Sequence, residues 1–411
     1  MNAAAPASSA QTVSARPLSV FIVAGEESGD RLGAALMRAL LERTGGNVRF
    51  SGVGGDDMAA HGLNSLFPIS DIAIIGFAAV PFRLVTILRR MRQTVVAAIA
   101  AQPDVMVIID SPDFTHRVAR RVRAVAPGIP IIDYVSPSVW AWRPGRARAM
   151  RAYVDHILAL LPFEPAAHAR LGGPPCSYVG HPLAEDAASL RPNREEAQRR
   201  LASPPLVLVL PGSRSAEINR LLAIFGAAVA RVVERHGPID LVLPTVPHLL
   251  ARVKQGTAGW AVQPRIVVDA QQKLAAFRNA RAALAASGTV TLELAIAGVP
   301  TVVAYKAPLI EELILRPLIK VQTIVLANLV LGDNVMPEYL QRQANPEQLT
   351  AALESLLTDT PARRRQCDAF ARIDAIMGVG TMAPSQEAAT IVIAHARPLL
   401  TAQSSEKNAV G

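Results

Sequence analysis

Short, unbroken apolar runs recur along the chain, and amphipathic stretches separate them. LSVFIVA, VRFSGVG, PDVMVIID, IPIIDYV and VDHILALL mark the first half. After a polar segment at 184–203 the series restarts with PLVLVLPG, IDLVLP, PRIVVDA, AALAAS and PTVVAYK. Apolar runs without period-two alternation predict strands buried on both faces, as in parallel sheets covered by helices. From Gly29 the chain reads RLGAALMRALLERTGG, with Leu32, Ala35, Leu36, Ala39 and Leu40 at helical spacing and Gly45 as the stop. ANPEQLTAALESLLTD and the segment 384–400 are helical in the same sense. Repeated strand–helix units predict an α/β fold, and two series predict two Rossmann-like domains with a cleft between them. The expected division is a disordered leader over 1–16, an N-terminal domain over 17–185 and a C-terminal domain over 186–383. A helix over 384–402, placed to pack back on the N-terminal domain, and a disordered tail over 403–411 complete it.

At 411 residues the chain is long enough for two substantial cores. Its 51% hydrophobic and 18% charged residues describe a globular chain and exclude a disordered one. Cys176 and Cys367 lie far apart and outside any CxxC, which suits a reducing cytosol. No HExxH or other metal-spaced pair occurs among the eight histidines, so neither a protein-held metal nor another cofactor is expected. Residues 1–16 lack the basic start and apolar core of a signal peptide. The nearest approach to a membrane span is IAIIGFAAVPFRLVTIL at 72–88, and Pro81 and Arg83 break it. The net charge of +9 is concentrated: between Arg83 and Arg151, twelve arginines stand against four aspartates, with no lysine. Such a stretch suits anionic lipid or a phosphorylated ligand, or is simply a set of solvated helix faces. Nucleic acid is not expected, since aromatics are only 4% and no recognition motif accompanies the arginines.

In open α/β sheets ligands bind beyond the carboxyl ends of strands, so the loops there carry the candidate chemistry. The first such turn, VAGEESGD at 23–30, poses a puzzle. A strand–glycine–helix turn usually meets a phosphate, yet Glu26, Glu27 and Asp30 would repel one. Glu27 is accounted for by the positive end of the helix it starts; Asp30 stays open. In PDVMVIIDSPDF, Asp110 ends a buried strand and is placed to act as a general base. Asp113 is read as the cap of a helix starting near Phe114.

LPGSRSAEINRLL, at 210–222, is not a Walker loop. Gly212 lets a ligand approach the backbone, Ser213 or Ser215 can cap the next helix, and Arg214 suits a diphosphate. A capped turn with a solvated arginine explains the same residues. In ASGTVTLELAIAG, Ser287, Gly288 and Thr289 open a short helix, and Glu293 follows one turn later. A carboxylate there can accept hydrogen bonds from two vicinal ribose hydroxyls while the Gly-Thr turn meets phosphate. Trp140 and Trp142 beside Arg143, in YVSPSVWAWR, either stack on a sugar or pack as a rigid loop on their own domain.

Together these stretches resemble the lipid-A-disaccharide synthases from about residue 18 to about 398. VAGEESGD, GVGG, IDSPDF, YVSPSVWAWR, LPFE, YVGHP, LPGSR, ASGTVTLE and NLVLGDN stand in that family's order. The resemblance implies the GT-B arrangement, two facing Rossmann-like domains with the active site in the interdomain cleft. It implies an inverting, metal-free transfer of 2,3-diacylglucosamine from UDP-2,3-diacylglucosamine to 2,3-diacylglucosamine 1-phosphate. The products are a β(1→6)-linked tetraacyl lipid A disaccharide 1-phosphate and UDP.

By that resemblance, Asp110 is the base for the acceptor 6-hydroxyl, with Glu26 next in line. Arg214 stabilises the leaving diphosphate, and Gly212, Ser213, Ser287, Gly288, Thr289, Glu293 and Asn328 belong to the UDP-sugar site. Phe77, Val80, Phe82 and Leu84, with Arg89, Arg90 and Arg92 at a basic edge, form the expected contact with acyl chains and an anionic membrane surface. The expected location is cytoplasmic, peripheral on the inner face of the inner membrane of a Gram-negative bacterium, and a homodimer is allowed for. Two rivals stand beside this reading. One is another UDP-sugar GT-B enzyme, such as a UDP-N-acetylglucosamine 2-epimerase or a polyprenyl-linked sugar transferase. The other is a non-catalytic membrane-docking module.

Overall fold

The computed structural model describes residues 16–72, 80–308, 321–380 and 383–397, and of 80–83 only the helical backbone. Six strands, Leu18–Ala24 (β1), Val48–Val53 (β2), Val105–Ile109 (β3), Ile131–Tyr134 (β4), His156–Ala159 (β5) and Cys176–Tyr178 (β6), form one sheet. Its order is β2-β1-β3-β4-β5-β6. Leu206–Leu210 (β7), Asp240–Pro244 (β8), Arg265–Val267 (β9), Ala282–Ala286 (β10), Thr301–Tyr305 (β11) and Glu338–Leu340 (β12) form the other. That sheet runs β12-β11-β10-β7-β8-β9, the doubly wound Rossmann order, with parallel pairing. The α/β expectation of two parallel, helix-covered sheets holds. The central strands β3, β7 and β10 are buried along their whole length, as their unpatterned sequences require.

The chain divides into two compact units. One holds the described residues of Met1–Pro137, Ala149–Leu158 and Ser385–Gly411; the other holds Ser138–Arg148 and Ala159–Pro384. In the first unit the helix Glu27–Arg43 buries Gly29, Gly33, Ala34, Leu36, Met37 and Leu40. Its core face is therefore turned from the one expected, with Leu32 and Ala35 at the border. The reason is close packing: a side-chain carbon on Gly33 would come within 2.5 Å of Met58 Sδ.

From Ser385 on, the helix Pro384–His395 also belongs to the first unit. Arg43 Nε donates to Gln386 Oε1 at 2.9 Å, and Arg397 Nε donates to the Gly128 carbonyl at 2.7 Å. Arg16, expected in the leader, is instead docked: its guanidinium donates to the buried Asp104 at 2.9 Å. The rest of the leader and the tail over 403–411 lie outside the described residues.

Two half-buried imidazoles couple this fold to pH. His181 caps the helix Pro182–Glu185, accepting the Leu183 N–H on Nδ1 at 3.2 Å, and burial pushes its pKa down to about 4. Burial, and then the His395 ring 4.6 Å away, pushes His156 down to about 4 as well. Each ring stays neutral in the folded chain while its unfolded counterpart takes a proton below about pH 6.5. The unfolded state then binds more protons, so stability falls as pH drops from 6.5 towards 4. The melting temperature should therefore decline between pH 7 and pH 5. In His181→Asn, which keeps a capping acceptor without a titrating ring, about half of that decline should vanish. An unchanged slope in the variant would remove His181 from the account.

Candidate active site at two strand switch points

In the first sheet the chain passes from β1 to β2 on one side and to β3 on the other, so β1 and β3 flank a topological switch point, where open α/β sheets hold their ligands. Ala24 pairs with Ile109, so the residues that follow, Gly25 and Asp110, leave the sheet side by side. The two turns press together: a side-chain carbon on Gly25 would lie 2.3 Å from Ser111 Cβ, so glycine is required there.

Asp110 and Ser111 both adopt left-handed backbone, with φ of 51° and 45°. Asp110 Oδ1 accepts the Ser111 N–H at 2.8 Å, and Oδ2 accepts the Ser28 hydroxyl at 3.2 Å. A carboxylate held this way at a strand end, half-exposed, has one oxygen edge left towards solvent and incoming substrate. Glu26 is exposed on the neighbouring turn. Ser28 was not singled out by sequence; a hydroxyl in a helix's first turn carries no signal until the partner strand is known.

Asp30 is settled as structural. It is buried, and its carboxylate accepts the N–H groups of Gly55, Asp57 and Met58 at 2.7, 3.0 and 3.2 Å, tying down the loop after β2. Asp113 does not cap: the helix begins at Pro112 and Asp113 lies exposed in its first turn. Trp140 takes the packing role. Its indole N–H donates to the buried Glu164 at 3.0 Å and its ring meets Phe163 edge-on at 5.0 Å. Arg143, also at positive φ, covers Trp142 at 4.4 Å.

The second sheet repeats the device. β7 continues to β8 on one side and lies beside β10 on the other, and Leu210 pairs with Ala285. LPGSR and ASGT therefore emerge together at a second switch point. Gly212 has a φ of 108°, and a side-chain carbon there would sit 2.3 Å from Glu217 Oε2. Arg214, not Ser213 or Ser215, is the N-cap of the helix Ser215–His236. Glu217 accepts from the Arg214 guanidinium at 2.9 Å, while the arginine side chain stays 81% exposed and able to turn to a ligand.

Thr289 starts the helix Val290–Ile296, whose first N–H groups have no acceptor within the helix. The Ser287 hydroxyl is taken, donating to the Ile324 carbonyl at 2.8 Å. Glu293 accepts from Lys273 Nζ at 2.6 Å, a partner on the helix Ala270–Asn279 that sequence alone did not bring forward. Asn328 is corrected: fully buried, it accepts from the Val335 and Met336 N–H groups and donates to the Met336 carbonyl at 2.9 Å. It braces its own loop and has no amide edge left for a sugar. Among the described residues, no three His, Cys, Asp or Glu side chains cluster as metal ligands.

On the helix Val80–Ala101, Leu84, Val85, Leu88 and Val96 are exposed, and so are Arg89 and Arg92. Leu88, Met91, Arg92, Val95, Val96 and Arg121 line a groove of about 250 Å³. Arg90 is not part of a free basic edge: its Nε donates to Asp71 at 2.8 Å and its guanidinium lies 4.9 Å over Phe67. Phe77 lies outside the described residues, as do the side chains of Val80 and Phe82. No described helix is long and apolar enough to cross a membrane.

The family model for lipid-A-disaccharide synthetase matches residues 20–392. The chain belongs to the lipid-A-disaccharide synthase family. It is thereby an inverting glycosyltransferase of lipid A biosynthesis. A lipid-A-disaccharide synthase of Nitrobacter hamburgensis is 60% identical over 91% of this chain and 94% of its own. One from Rhodospirillum centenum is 42% identical over 92% and 94%. Among solved structures, Acinetobacter baumannii MurG covers 92% of this chain and all of its own with a TM-score of 0.55 at 15% identity. The Neisseria meningitidis UDP-GlcNAc 2-epimerase bound to UDP-GlcNAc covers 92% and 98% with a TM-score of 0.55 at 10% identity. At such identities the likeness carries the fold alone, the fold of GT-B glycosyltransferases and epimerases. Family membership favours none of the rivals: epimerase, polyprenyl-linked sugar transferase or non-catalytic docking module.

Proposed function

We propose that the chain joins UDP-2,3-diacylglucosamine to 2,3-diacylglucosamine 1-phosphate, with the acceptor chemistry at the β1/β3 switch point and the nucleotide at the β7/β10 switch point. The observation that carries this reading is the pairing of IDSPDF with VAGEESGD, and of LPGSR with ASGT, at the two places where the strand order reverses. Asp110 takes the acceptor 6-hydroxyl proton as its oxygen attacks the anomeric carbon opposite the diphosphate. The new bond is β, the bond to UDP breaks, and the released negative charge falls to Arg214 and the first N–H groups of the helices at Ser215 and Val290. Glu293 exchanges its Lys273 contact for ribose hydroxyls, which leaves the ammonium beside the nucleotide. Glu26 is exposed on the turn beside Asp110 and is suited to accept a sugar hydroxyl.

The exposed apolar residues of the helix Val80–Ala101, flanked by Arg89 and Arg92, support peripheral binding to an anionic membrane, from which two-chain lipids would enter.

Two experiments test these points. Incubated with both lipids, the chain should form the disaccharide phosphate seen by mass spectrometry. Asp110→Asn should lose about 10²–10⁴-fold in turnover while keeping its affinity for UDP. Near-normal turnover would hand the base role to another group, with Glu26 the first to examine. In vesicle sedimentation, Arg89→Ser with Arg92→Ser should weaken binding to anionic vesicles roughly 30-fold at low salt, from ~1 kcal/mol per basic residue. Arg90→Ser should leave binding unchanged, since Asp71 already neutralises that charge. Equal losses in both variants would mean that position along the helix, not free charge, sets binding.

A further inference from the structure

Below the Asp110 turn lies a buried polar contact that the proposed reaction does not use. Asp133, third residue of β4, is 1% exposed, and His116, on the helix Pro112–Val125, is 2% exposed. His116 Nε2 lies 3.3 Å from Asp133 Oδ2. Neither Asp133 oxygen has a hydrogen bond among the described residues, so the imidazole is the polar group that faces this carboxylate. On its other nitrogen, His116 Nδ1 lies 3.0 Å from the Tyr153 hydroxyl, which also accepts from Arg120 at 3.4 Å. The Tyr153 hydroxyl thus engages Nδ1, and Nε2 is the ring nitrogen that faces Asp133.

The neighbours of this pair in the chain hold Asp110. Tyr134, next to Asp133, accepts the Asp110 N–H on its carbonyl at 3.1 Å. Thr115, next to His116, donates its hydroxyl to the Asp110 carbonyl at 2.7 Å. Asp110, Tyr134, Asp133, His116 and Thr115 thus form a closed ring of contacts, and the His–Asp pair is its far side. Within or beside the ring, Asp110, Ser111 and Val135 have φ of 51°, 45° and 83°. For a β-branched valine this is a true outlier. Such backbone persists only where surrounding contacts over-determine it.

We propose that His116 and Asp133 are positioning residues that clamp the helix start to β4 and so fix the direction of the Asp110 carboxylate. The inference rests on Asp110 being the base. A buried aspartate facing one imidazole is a costly way to hold a core together, since an apolar pair of similar volume serves packing as well. Its use directly beneath a strained carboxylate turn points to alignment, where a displacement of about 1 Å costs on the order of 10² in rate.

Steady-state kinetics with both lipid substrates tests this on His116→Leu, His116→Gln and Asp110→Asn. His116→Leu should lower kcat at least tenfold with both KM values and the UDP affinity within twofold. His116→Gln, whose amide N–H still reaches Asp133, should keep at least half of the parental kcat. If His116→Leu does not fold, His116→Gln with Asp133→Leu supplies the broken clamp in its place, and the same loss of kcat is expected. A normal kcat in the broken-clamp variant would overturn the proposal, as would KM rising in step with a falling kcat, or His116→Gln failing as badly as His116→Leu. Asp110→Asn separates the two ideas. Inactive Asp110→Asn beside a fully active broken clamp removes only the clamp, whereas active Asp110→Asn removes the base on which it rests.

Discussion

Parallel pairing across each switch point is the constraint from which the candidate chemistry follows. A parallel strand must return through a helix, so every strand in such a sheet delivers its following loop to the same edge. Where successive strands depart to opposite sides, two loops distant in sequence are left adjacent with no strand between them. The registers Ala24 with Ile109 and Leu210 with Ala285 fix which residues those are. Gly25 and Gly212 are the local consequences, one giving way to Ser111 and the other to Glu217.

The two edges differ in charge, and that difference is the ground for proposing different roles for them. At β1/β3 the turns carry Glu26 and Asp110, groups that accept protons and hydroxyl hydrogen bonds and would repel a diphosphate. At β7/β10 they carry Arg214 and the start of a helix behind a Gly-Thr turn, groups that donate to anions. The half-buried carboxylate of Glu293 is matched by Lys273, so this edge does not present an unbalanced negative charge to a nucleotide. Each pairing leaves its functional side chain partly exposed and its backbone firmly held, which is what a preorganised site requires.

The sheets were largely legible because apolar runs long enough to cross a core have few alternative uses. The two strands that escaped, Cys176–Tyr178 and Glu338–Leu340, are three-residue, half-buried edge strands with polar residues in them. The positions of Asp110 and Arg214 were legible because Asp110 directly follows an apolar run and Arg214 follows the Pro-Gly-Ser turn that ends one. Lys273 and Ser28 were not, since their meaning comes from partners 20 and 82 residues away. Asn328 and Arg90 show the reverse failure, and Asp30, left open by its sequence, has the same cause. Each polar side chain is consumed by a loop backbone or a nearby carboxylate, and that depends on loop geometry no local pattern reports. His116 and Asp133 carried no signal at all, because a histidine on a helix and an aspartate in a strand become a pair only after β4 is placed beside β3.

Nucleotide and acceptor are proposed to occupy different switch points, and hydrogen exchange with and without UDP tests that division most directly. UDP should slow exchange at 211–217 and 287–293 and leave 25–30 and 110–115 unchanged. Protection confined to 25–30 and 110–115 would contradict it.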